Sequence, residues 1–108
     1  GYEGNGMATA NYENETYNLL GAFFGIPDPE DGFFYEGWIV TPGATSVLST
    51  GRVTAQDDFF VNEFSSDQDL TDHTRFVLTI EPDDGDPAPA DHVMEGDFVR
   101  EVVEFPGN

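Results

Sequence analysis

The chain has 108 residues, with 22 Asp or Glu against three Arg and no lysine, and a formal charge of −19. Nothing on it can neutralise phosphates in number, which argues against nucleic acid and anionic membrane surfaces as partners. With 38% apolar and 14% aromatic residues it is still too apolar for a disordered tail, and its length suits one two-layer core.

Excess charges spread over about 6,000 Å² would sit roughly 17 Å apart, beyond the ~8–10 Å screening length, so only clusters of acids need local compensation. Cysteine is absent, so neither a disulfide framework nor a redox compartment can be read. No run reaches the ~18–20 apolar residues of a membrane span. The start at Gly1, without a methionine or a signal-like segment, reads as a processed or excised product. Acid-rich, lysine-free composition suits a salty or extracellular setting.

Strand signals recur along the chain, and a clear helical period is missing. Extended segments are predicted at 7–12, 15–26, 33–41, 46–54, 58–65, 74–81, 91–96 and 97–105. Asn14-Glu15-Thr16 is a glycosylation sequon between the first two. Residues 19–26, LLGAFFGI, are apolar on both parities and predict a strand covered on both faces. Pro27 to Gly32 supplies a turn. Segment 33–41 is apolar on both parities except at Glu36, which leaves its inward face open; Trp38 is expected in the core. Thr41-Pro42-Gly43 and Ala55-Gln56-Asp57-Asp58 are further turns. In 74–81, Phe76, Leu78 and Ile80 point one way, and Arg75, Val77, Thr79 and Glu81 the other. Eight short strands with such turns predict a single all-β domain over 1–108, an antiparallel β-sandwich of about 7–9 strands.

Several stretches in fixed order carry a family likeness: Pro27 to Gly32, Tyr35-Glu-Gly-Trp38-Ile-Val40, Ser49-Thr-Gly-Arg-Val53, Phe76 to Pro82, Gly85-Asp-Pro87, Pro89 and Met94-Glu-Gly96. Together they resemble the C-terminal domain of anti-sigma-K factors over roughly residues 19–97. The resemblance implies an immunoglobulin-like sandwich outside the cytoplasmic membrane. It also implies that sigma binding belongs to a separate N-terminal helical domain, joined through a membrane helix. Where the family loop is Gly, Ser and Pro, this chain carries Asp83, Asp84, Asp86 and Asp91.

Connections alternate between the ends of an up-and-down sandwich, so loops 27–32, 55–58 and 82–91 are predicted to share one end. That end gathers Asp28, Glu30, Asp31, Asp57, Asp58, Asp83, Asp84, Asp86 and Asp91. Two carboxylates ~8 Å apart in water repel by about 0.5 kcal/mol. Ca²⁺ takes about six to eight oxygens and would offset such repulsion, which makes these nine acids its candidate ligands. The competing reading is solvated turns, for which Asp-Gly and Asp-Pro are ordinary. Asp83-Asp84-Gly85-Asp86 lacks the EF-hand spacing. A second acidic group, Asp67, Asp69 and Asp72, is expected at the other end, as a loop chelator or as plain surface acids. His73 and His92 each follow an Asp but lack zinc spacing, and Ser46, Ser49, Ser65 and Ser66 have no nucleophile-elbow setting. No active site is predicted.

Residues 1–14 and 98–108 are expected as edge strands, or as strands exchanged with a neighbour. Head-to-tail exchange does not close and grows a filament. The first functional reading is therefore a non-catalytic, extracellular or cell-surface module that associates with itself, as homo-oligomer or filament, with Ca²⁺ in its acidic loops. The alternative is a sensory or regulatory ectodomain of an anti-sigma-factor-like membrane protein. A small ligand-binding module comes third, and an enzyme last.

Overall fold

A computed structural model describes residues 4–83 and 91–98. Among them are eight strands: β1 Asn5–Glu13, β2 Thr16–Phe24, β3 Phe33–Val40, β4 Val47–Arg52, β5 Thr54–Gln56, β6 Phe59–Ser66, β7 Arg75–Pro82 and β8 Asp91–Asp97. A single 3₁₀ turn, Pro42–Ala44, accompanies them. The strands form two antiparallel sheets, ordered β1-β2-β6-β5 and β4-β3-β7-β8. The fold is all-β, as expected, and compatible with a sandwich.

Alternation with period two decides which side chains meet between the sheets. Tyr17, Leu19 and Phe23 of β2 and Phe60 of β6 face Tyr35 and Ile39 of β3 and Phe76 and Leu78 of β7. Phe23 stacks on Phe76 with ring centroids 5.5 Å apart, and Tyr35 meets Phe60 edge-on at 5.3 Å. Small residues make room for these rings. A Cβ on Gly21 would lie 3.0 Å from the Phe23 ring, and one on Gly37 would lie 2.8 Å from the Phe76 ring. The parity read for 74–81 holds, since Phe76, Leu78 and Ile80 all pack in or against the core.

Three segments differ from expectation. Segment 46–54 is two strands rather than one. A bulge sets both Thr50 and Gly51 against Gly37, Gly51 adopts φ +97°, and the chain leaves β3 at Val53 to pair with β6 as β5. Residues 19–26 are covered on one face only: Leu19 and Phe23 are buried while Leu20 and Phe24 stay exposed. Trp38 is buried, but on the outer side of β3, where its Nε1 donates to Thr79 Oγ1 at 2.9 Å. Both faces of β3 are thus occupied, and this is why its parity could not be read.

At the start of the chain, β1 pairs with β2 along its whole length, as an edge strand of its own domain. A two-residue turn with positive φ at Asn14 and Glu15 joins them. At the other end, Phe98 donates its N–H to Thr74 O and packs edge-on against Phe76. The rest of the predicted strand 97–105 lies outside the described residues.

Candidate functional site

Register brings the described parts of the predicted loops to one pole. Phe24 pairs with Phe59 at one end of the first sheet, and Phe33 with Pro82 at the corresponding end of the second. Loop 25–32, the 57–58 turn and Asp83 follow directly from these ends. The first loop is pinned from inside: the Tyr35 hydroxyl donates to Pro27 O at 2.6 Å, and Asp83 N–H donates to Gly32 O at 2.8 Å.

Within the pole the acids separate into groups. Asp28, Glu30 and Asp91 line one cavity of about 360 Å³ together with Phe33, Tyr35 and Ile80. Asp83 is instead taken by Arg52 at 2.8 Å, whose guanidinium also lies 3.7 Å above the Phe34 ring. Both partners are half exposed, so this clamp fixes position more than it adds stability. Asp31, Asp57 and Asp58 stand in exposed turns, Asp57 with φ +41°. Asp84 and Asp86 lie outside the described residues. Among the described residues no three His, Asp or Glu side chains form a group able to hold a metal ion.

The opposite end uses its acids locally. Asp69 accepts from the Thr71 hydroxyl at 2.6 Å and from its backbone N–H at 3.1 Å. Those two bonds hold its carboxyl below the usual range. Next to it, Asp72 Oδ1, His73 and Ser46 Oγ form a chain of 2.8 and 2.9 Å bonds through Nδ1 and Nε2. The connectivity is that of a serine-hydrolase triad, but an oxyanion hole requires free N–H donors. The Ser46 N–H is engaged by Thr41 Oγ1 at 2.8 Å, and the Ala44 N–H by Thr41 O. His73 therefore ties the β3–β4 connection to the β6–β7 crossover.

Two buried polar networks escaped the sequence reading. Between the sheets, Asn62 Oδ1 accepts from Thr50 Oγ1 at 2.6 Å, and Asn62 Nδ2 donates to Thr50 O at 3.1 Å. Asn62 stands at an inward parity position in FFVNEF, a signal that could have exposed it. On the outer side of the second sheet, Trp38 donates to Thr79, whose hydroxyl donates to Glu81 at 2.5 Å. Ser49 donates to Glu36 alongside.

Residues 3–95 match the family described as anti-sigma-K factor rskA, C-terminal. The chain belongs to this family. Comparison with curated proteins and with solved structures gives no significant match. In this anti-sigma-K C-terminal domain the match takes in β1, ahead of the stretch that carried the resemblance. The two most characteristic stretches of that resemblance are neighbouring strands, β3 and β7. The Trp38–Thr79–Glu81 network spans them, so the tryptophan and the Thr79-Ile-Glu-Pro82 run meet in a single structural feature.

Proposed function

We propose that this domain is the sensory or regulatory ectodomain of an anti-sigma-factor-like membrane protein. The observation that carries the reading is the family match over residues 3–95. It favours the regulatory alternative over the self-associating filament subunit that the terminal strands and acidic loops suggested, and it favours regulation over catalysis. In this reading the domain stands outside the cytoplasmic membrane and a separate segment of the protein contacts the sigma factor. Deleting residues 3–95 from the full-length protein is expected to change how a sigma-dependent promoter responds to its inducing condition, while sigma binding persists. An unchanged response would remove the reading.

Calcium at the acidic pole is a subsidiary proposal: Asp28, Glu30 and Asp91 line one cavity without converging as a three-ligand group, so an ion there would complete its shell with carbonyl and water oxygens. An ion at 100-fold over its Kd would add about 2.7 kcal/mol to stability. The expected result is a higher Tm in millimolar Ca²⁺ than in NaCl of matched ionic strength. Equal melting curves would show screening alone.

A further inference from the structure

We propose that the outer face of the β1-β2-β6-β5 sheet docks a polypeptide partner that combines apolar side chains with lysine or arginine. Register sets Asn5, Phe24 and Phe59 in one row, Met7, Ala22 and Val61 in the next, and Thr9, Leu20 and Glu63 in a third. Directly opposed residues of antiparallel strands project to the same side. Tyr17, Leu19 and Phe23 point into the core, so the three rows face outward. Met7 is 53% exposed, Leu20 49% and Phe24 43%. Phe24 and Phe59 stack on this surface at 5.3 Å. A lone exposed apolar residue is ordinary, whereas neighbours in cross-strand register make a contiguous patch of the kind that marks interaction surfaces.

Charge selects the occupant. Residues 4–24 and 54–66, which build this sheet, contain Glu13, Glu15, Asp57, Asp58 and Glu63 and neither lysine nor arginine. Asp57 and Asp58 lead directly into Phe59, and Glu63 lies opposite Leu20. Beside the third row the face opens into a groove of about 490 Å³ lined by Thr9, Asn11, Asn18, Leu20, Glu63 and Ser65. Glu63 supplies its charge. An apolar centre with an acidic rim and a carboxylate-bearing groove complements a partner with apolar contacts and a basic side chain seated on Glu63. A second copy of this chain would bring the same acids to the same face and be repelled. The surface is read from the domain alone and does not depend on the regulatory reading.

The test uses the whole chain and two synthetic peptides of equal length, Lys-Val and Glu-Val repeats, at ~150 mM salt, where the Debye length is about 8 Å. Amide NMR shifts follow the titration. The Lys-Val peptide is expected to perturb Met7, Leu20, Ala22, Val61 and Glu63, and the Glu-Val peptide to perturb none of them. Leu20→Ser and Glu63→Gln should each raise Kd by about fivefold to tenfold. Val47→Ser, at an exposed apolar position of the other sheet, should not. Circular dichroism confirms that the variants are folded. Shifts centred on 27–32, or an unchanged Kd in Leu20→Ser, would reduce the effect to general attraction and overturn the proposal. A concentration-dependent dimer by sedimentation, with the same face protected, would assign the surface to a second copy and overturn it equally.

Discussion

Gly37→Ala is expected to lower stability by about 2–6 kcal/mol, a large share of the ~5–15 kcal/mol typical of a folded domain. The added Cβ would meet the Asn62 side-chain oxygen, lie 2.5 Å from Thr50 Oγ1 and lie 2.8 Å from the Phe76 ring. All three neighbours are buried. Overpacking of this kind costs about 1–3 kcal/mol. Displacing Asn62 from Thr50 would leave a fully buried amide without its two bonds, at a further ~1–3 kcal/mol. Urea unfolding is expected to show a lower midpoint at an unchanged m-value. Asn62→Ala alone should also destabilise, yet the double variant should cost less than the sum, because the obstructing amide is gone. A loss under about 1 kcal/mol in Gly37→Ala would mean that β3 and β6 do not face each other at this level.

Legibility in the sequence followed how polar the residues of each strand's second face are, not whether that face is covered: β7 is buried on both faces. β7 was readable because Phe76, Leu78 and Ile80 form a core row opposite a row with Arg75 and Glu81 at its ends. In β3, Tyr35 and Ile39 enter the core while Trp38 is buried on the other side, so both parities are apolar for different reasons. In β2 the same double pattern has a third cause, since Leu20 and Phe24 are apolar and exposed. Pattern alone cannot separate an apolar residue that is buried from one awaiting a partner. The acidic pole was legible because strand count and alternation set which loops share an end. The Arg52–Asp83 clamp was not, because it joins residues 31 apart in sequence through register that no local signal carries. The sheet change at Val53 had a cue in Gly51, but a lone glycine in a strand also suits an ordinary bulge.

Raising pH from about 10 to 12 is expected to remove up to roughly 3 kcal/mol of stability through one side chain, Tyr17. Its ring is fully buried and meets Phe64 edge-on, and among the described residues its hydroxyl has no hydrogen-bond partner. Burial first, and the Asp72 charge second, push this hydroxyl from 10.0 up to about 12. The unfolded chain releases the proton near pH 10 while the folded chain holds it, so across that window the unfolded state binds fewer protons. Stability is therefore fully present below the unfolded pKa and is lost as pH climbs through the folded one. Tyr17→Phe removes the titrating group and should flatten this part of the alkaline limb. It also removes a buried oxygen with no protein partner, so at neutral pH the variant is expected to equal the parent or gain about 1 kcal/mol. Asp72→Asn should shorten the limb slightly and reduce the total loss, because removing the second cause brings the folded pKa back toward the unfolded one. Chemical unfolding at matched salt, at pH 8 and at several points to pH 12, measures all three chains. An alkaline limb of the same slope in Tyr17→Phe as in the parent would show that the Tyr17 hydroxyl is not buried as described, and with it that the Asp72 end of the sandwich packs differently.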